Sequence, residues 1–328
     1  MLIRFFRSSF LAQYTMIVLT AAVLWLPAFL APKAPAAPDP YSWFYRWIYD
    51  VLSGLPSVSV IIAFLLMLFQ AFFLNAVLVN YQLIGRVSSL AAFIYVVLMS
   101  LSPAQTMLYP MLVAMPFLIY ALSIFFRMYE RTDNELDIFN VSFLISLASL
   151  FWFPAISLII WIFLSLLVLA ITRLRCWIIP FVGILTPYLF LATVFFLYNE
   201  LLARSATYLN IPTLLGLLTA FPKPTDLMVF GLMLLLALKA IQIAYSGIVD
   251  NNIAVRKRKA LLNALIISSI PLLLFKASHP AHHLLLVLPF TTFMAFSYTY
   301  IKQYRQANFF LMLLIVTALF NHYLSLIR

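Results

Sequence analysis

About eleven apolar runs separated by short polar breaks fill most of this chain, and they restrict what it can fold into. The runs fall at residues 10–30, 57–79, 87–102, 107–126, 138–152, 154–172, 177–198, 227–245, 260–275, 283–300 and 307–326. A helix crossing the hydrocarbon layer of a bilayer needs about 20 mainly apolar residues. Four runs (87–102, 138–152, 260–275 and 283–300) are shorter, so 138–172 and 260–300 also read as tilted or re-entrant hairpins. Hydrophobic residues make up 66% of the 328 and charged residues 9%. A soluble domain is about half apolar and a quarter charged. This much apolar surface cannot be hidden in a water-soluble core, so lipid is the expected solvent. The expectation is an all-α polytopic transmembrane bundle of about eleven helices, a single integral membrane domain over residues 1–328.

Charge orients the bundle. With the N-terminus cytoplasmic, the inner segments hold Arg4, Arg7, Arg86, Arg127, Arg131, Arg173, Arg175, Arg256, Lys257, Arg258, Lys259, Lys302 and Arg305. The outer segments hold Lys33, Arg46, Arg204, Lys223, Lys276 and Arg328. That asymmetry follows the positive-inside rule. The net charge of +11 is therefore a topology signal, and no nucleic-acid partner is expected. The basic, apolar N-terminus reads as a retained signal anchor. "RKRK" at 256–259 reads as a topology anchor touching anionic lipid. Cys176 is the only cysteine, which excludes an intrachain disulfide and a cysteine-rich metal site.

The outer face has two substantial loops. The first, 31–56, begins with the stiff "APKAPAAPDP". It continues with "YSWFYRWIYDVLSGLP", where Trp43, Phe44, Trp47, Ile48 and Val51 recur at helical spacing and Arg46 and Asp50 fall on another face. That pattern suits an interfacial helix with its aromatics at headgroup depth. The second, 199–226, is amphipathic and punctuated by proline. The cytoplasmic loop 127–140 reads as an N-cap with carboxylates at a helix start.

Chemistry-bearing residues concentrate on the outer side. Asp39 and Asp50 lie in the first loop, as candidate bases or catalytic carboxylates. His279, His282 and His283 open a late helix in "KASHPAHHLLLVLPF", and His322 lies near the exit of the last helix. With Arg46, these histidines are candidate ligands for a substrate phosphate. H-P-x-H-H is not a strong metal signature, and no metal or cofactor is expected. Lys239, the one ionisable residue well inside a run, is expected to snorkel. Gln70, Asn75, Gln242 and Asn263 read as interhelical hydrogen-bond partners. Intramembrane prolines such as Pro116 require neighbours that re-satisfy the freed carbonyls.

Residues 134–190 carry the most distinctive pattern. The segment opens with "NELDIFN", turns at "SLASLFWFPA" and ends in W-x-x-P-F-x-G-x-x-T-P-Y. With "WLPAF" at 25–29, it resembles a family of multi-pass inner-membrane proteins of Bacteroidetes to which no activity is assigned. The resemblance implies a bacterial inner (cytoplasmic) membrane location and supplies no catalytic residues. The placement of Asp39 and Asp50 after the first helix, with an interfacial helix beside them, also resembles the GT-C membrane glycosyltransferases. That likeness implies an enzyme acting on lipid-linked intermediates at the outer face. No paired carboxylates and few external arginines accompany it.

Three functions stay open on the sequence. The first is a non-catalytic or accessory component of envelope biogenesis, partnered by lipid and other membrane subunits. The second is a GT-C-like or polymerase-like enzyme on lipid-linked substrates, and the third a lipid or small-molecule carrier. The enzyme requires the first-loop carboxylates and the histidines to converge on one groove. The accessory role leaves them scattered.

Overall fold

The computed structural model describes residues 2–8, 10–84, 88–130, 133–200, 224–246, 252–274, 282–300 and 304–327. Among these residues the chain is helical, without strands. The α-helices are α1 (Leu2–Phe6), α2 (Leu11–Leu30), α3 (Trp43–Leu52), α4 (Pro56–Asn80), α5 (Leu90–Leu98), α6 (Pro110–Met128), α7 (Glu135–Phe151), α8 (Ile159–Leu169), α9 (Leu174–Leu197), α10 (Pro224–Tyr245), α11 (Ile253–Ser269), α12 (Val287–Tyr300) and α13 (Tyr304–Ile327). Short 3₁₀ turns at Phe153–Leu158, Pro271–Leu274 and His282–Leu286 join or extend them.

Each apolar run contributes a helix, but the helices differ in kind. Five are long and apolar enough to cross a membrane: Leu11–Leu30, Pro56–Asn80, Pro110–Met128, Leu174–Leu197 and Leu227–Tyr245. They turn large apolar side chains outward, such as Leu65 and Phe69 on α4 and Leu185, Leu189 and Phe190 on α9. Soluble monomers seldom expose contiguous apolar surface on this scale. In contrast, α5 has nine residues, none more than 1% exposed. At 1.5 Å per residue it is about 14 Å long, roughly half the hydrocarbon thickness. It is walled in by α2, α4, α12 and α13. Residues 287–298 of α12 are likewise buried on every side. A run apolar all round satisfies a protein interior as well as a lipid one, so composition alone cannot separate these two helices from spans.

The ends of the helices collect into two polar layers. At one end the helix C-termini leave carbonyls without intrahelical partners, and basic side chains meet them. Lys257 donates to the carbonyl of Val168 in the last turn of α8. Arg258 donates to Tyr81, the C-cap of α4, at 2.7 Å and pairs with Glu130 beyond α6. Lys259 donates to Ala244 in the last turn of α10 at 2.7 Å. Arg7 reaches the carbonyls of Tyr298 and Thr299 at the end of α12. Cations at helix C-termini also oppose the negative end of the helix dipole. "RKRK" is therefore more than a lipid-facing anchor. Arg258 and Lys259 are buried, while Arg256 stays exposed. Burial lowers the Lys259 pKa, with the Arg256 charge adding to the effect. The Ala244 carbonyl and the faces of Tyr245 and Phe296, 4.7 and 5.1 Å from its Nζ, surround the ammonium.

Interior polar groups follow the same logic. Pro116 has no N–H for the carbonyl of Leu112, one turn back in α6. Gln70 of α4 supplies it from Nε2 at 2.7 Å, and its Oε1 accepts from the Tyr95 hydroxyl of α5 at 2.8 Å. Asn75 donates to Ser88 at 2.9 Å, and Asn263 to the Tyr245 hydroxyl at 2.8 Å. Lys239 is exposed, with its ammonium 5.1 Å from the Phe310 ring centre. Arg127 pairs with Asp137 in the first turn of α7 at 2.6 Å, as the mixed charges of 127–140 suggest.

Candidate functional site

The opposite end of the bundle is built around residues 99–109, an irregular and mostly buried segment following α5. Non-helical backbone at this depth needs internal partners. Gln105 Oε1 accepts from the amides of Leu101 at 2.8 Å and Ser102 at 3.3 Å. Trp25 of α2 donates from Nε1 to the Ser100 hydroxyl at 2.9 Å. Asn321 of α13 donates to the Leu101 carbonyl at 3.3 Å. His322 is 1% exposed, with Nε2 2.9 Å from the Ser100 carbonyl. A carbonyl only accepts, so Nε2 carries the proton. His322 thus ties α13 to the end of α5.

The other half of this layer holds α3. The Tyr45 hydroxyl lies 2.9 Å from the Ala36 carbonyl and 3.0 Å from that of Leu108, sharing one proton between them. The Ala36 amide donates to the same Leu108 carbonyl at 2.8 Å. Burial raises the Tyr45 pKa well above its ordinary value, and Tyr49 and Asp39 add to the rise. Tyr45 therefore stays a neutral donor that clamps α3 onto the 99–109 segment. The sequence pattern hid this role, because Tyr45 sits between Phe44, which faces the groove, and the exposed Arg46.

Seen down its axis, α3 has three faces. Tyr45 and Leu52 point into the protein. Arg46 and Asp50, one turn apart, are exposed. Trp43, Phe44, Trp47 and Ile48 face a cavity of about 700 Å³, whose remaining walls are Phe143, Leu147, Leu150 and Phe151 of α7 and five residues of α9 from Pro187 to Phe195. Every lining side chain is apolar. Ring contacts fix the roof of this groove: Trp43 lies 4.7 Å from Phe195, Phe44 5.4 Å from Phe151, and Tyr41 5.0 Å from Phe153.

The floor follows from the 134–190 segment. α7 presents Ser142, Ser146 and Ser149 toward α9, all buried. Ser146 donates to the Ile184 carbonyl at 2.7 Å, and Ser149 meets the Tyr188 hydroxyl at 2.7 Å. A Cβ on Gly183 would lie 2.6 Å from Ser142 Cβ and 3.0 Å from the Phe139 carbonyl. Small residues let the two backbones approach. The large side chains of the groove stand on a neighbouring face of each helix.

The described candidate residues sit on several elements. Asp39 is half-buried near Tyr45, Asp50 and Arg46 lie on the exposed face of α3, and His322 is engaged beneath Ser100. His282 and His283 begin the 3₁₀ turn leading into α12. His279 lies outside the described residues, as does most of the second loop, 201–223. Among the described residues, no three metal-ligating side chains cluster. Comparison of the chain with protein-family models, with curated proteins and with solved structures finds no match.

Proposed function

We propose that this chain is a multi-pass protein of the bacterial inner membrane, with its N-terminus in the cytoplasm, serving envelope assembly as a non-catalytic, accessory component. The basic layer then faces the cytoplasm and the 99–109 layer the outer side. Five apolar helices of spanning length with outward-facing apolar side chains support membrane residence. The collection of Arg7, Lys257, Arg258 and Lys259 at one end supports the orientation. The resemblance of 134–190 to inner-membrane proteins of Bacteroidetes supports the location.

The accessory role rests on one observation. Five buried polar side chains of the outer layer hold helices together: Trp25, Tyr45, Gln105, Asn321 and His322 each bond a backbone or hydroxyl group of a structural segment. Transfer chemistry on a lipid-linked donor needs its carboxylate and phosphate-binding groups in a site closed to water. His322 is engaged with the Ser100 carbonyl, and Arg46 and Asp50 both lie on the exposed face of α3.

Complementation tests this. In cells where loss of the chain sensitises the envelope to detergent, Asp39→Asn and Asp50→Asn should each restore resistance fully. Failure of either variant at wild-type protein level contradicts the accessory role and favours an enzyme.

A further inference from the structure

The exposed face of α3 carries two opposite charges directly beside an apolar groove. Arg46 and Asp50 are four residues apart, so they share one side of the helix. Both are exposed, and neither makes an ion pair within the described residues. Trp47, also exposed, lies between them in sequence and lines the groove. The groove is about 700 Å³, within the range of small-molecule and cofactor sites. It has no polar wall, so its occupant there is a hydrocarbon chain. Tyr45 and the ring contacts of Trp43 and Phe44 hold the roof in place.

We infer that this groove and the Arg46–Asp50 face form a binding site for one phosphatidylethanolamine molecule, an acyl chain under α3 and its headgroup on the helix. The site rests on the proposed position of α3 at the outer membrane surface. Charge complementarity selects the headgroup. The Arg46 guanidinium matches a phosphate in geometry and charge. The Asp50 carboxylate accepts from an ammonium that bears N–H donors. Phosphatidylglycerol places no cation opposite Asp50. Phosphatidylcholine places a quaternary ammonium there, which has no N–H to donate. A primary ammonium one short linker from the phosphate matches both charges on one helical turn.

Lipid retention by the purified full chain provides the test. Membrane fractionation comes first: absence of the chain from membranes overturns the proposed location, whatever its lipid preference. The membrane-extracted protein is then equilibrated in a neutral detergent with equal amounts of phosphatidylethanolamine, phosphatidylglycerol and phosphatidylcholine, and retained lipid is counted by native mass spectrometry. Wild-type protein should retain phosphatidylethanolamine over the other two by about fivefold, the scale of an exposed charge pair. Asp50→Asn should bring phosphatidylethanolamine and phosphatidylglycerol level, and Arg46→Gln should weaken retention of both. Both substitutions are on exposed positions, and an unchanged elution volume verifies folding. Leu147→Trp, which fills the groove from α7, should abolish retention with both charges in place. Equal retention of the three lipids by wild-type protein overturns the site, as does a preference that survives Asp50→Asn.

Discussion

Arg258 has 4% of its surface exposed, yet it carries a full charge. Its guanidinium sits on the Tyr81 carbonyl and on Glu130, so one side chain closes the end of α4 and reaches the turn after α6. Arg256, two residues earlier, is exposed. Arg258→Met should orphan the Tyr81 carbonyl and lower stability by about 1–3 kcal/mol. Arg256→Met should stay within about 0.5 kcal/mol of wild type. Thermal denaturation of both variants in detergent checks this, and equal midpoints would show that the buried cap is inert. Gln70 teaches the same lesson from the other side. Pro116 announces in the sequence that a carbonyl one turn back needs a donor, and a buried glutamine on another helix is a natural candidate. Which glutamine serves it depends on how α4 lies against α6, and that is set by tertiary packing.

Among the elements, α7 and α9 show what small residues position. Their approach at Gly183 leaves room for no side chain, and beside the serine face of α7 stand the groove residues Phe143, Leu147, Leu150 and Phe151. Gly183→Ala should cost about 1–3 kcal/mol by overpacking. Gly231 of α10 has nothing within 4 Å of an added Cβ, so Gly231→Ala should be neutral or stabilising by up to about 1 kcal/mol. Denaturation midpoints that move alike for the two variants would contradict the close contact. The α3 helix was legible from its aromatic spacing, because a half-immersed helix must sort apolar and charged residues onto different faces. Its groove was not legible. The far walls come from residues roughly 100 to 150 positions away, and every one of them also reads as an ordinary lipid-facing or core residue.

At the scale of the whole molecule, every run was visible as a helix because apolarity of that length leaves few other folds. The distinction between a spanning helix and a buried one was visible only in part, since the runs that hold α5 and α12 are two of the four short ones. α5 and α12 are as apolar as the long helices, and only their neighbours reveal that protein surrounds them. Charge asymmetry was legible as a shared place, since Arg7, Lys257, Arg258 and Lys259, grouped on one side in the sequence, all meet helix C-terminal carbonyls in the structure. His322 looked like a ligand because it lies near a helix exit. Its partner Ser100 is 222 residues away in sequence, beyond the reach of any local pattern.

Which end of the bundle faces outward decides where α3 can act. Cys176 is buried, and a Cys176→Ser background leaves no native thiol. Into it, Ala34→Cys and Asn252→Cys each place one thiol at an exposed position, Ala34 near α3 and Asn252 just before the basic cluster. A membrane-impermeant maleimide applied to cells with a permeabilised outer membrane and an intact inner one should label position 34 at once. Position 252 should be labelled only after lysis. Labelling of 252 with 34 protected, or of both equally before lysis, would contradict the orientation and with it the placement of α3 at the outer surface.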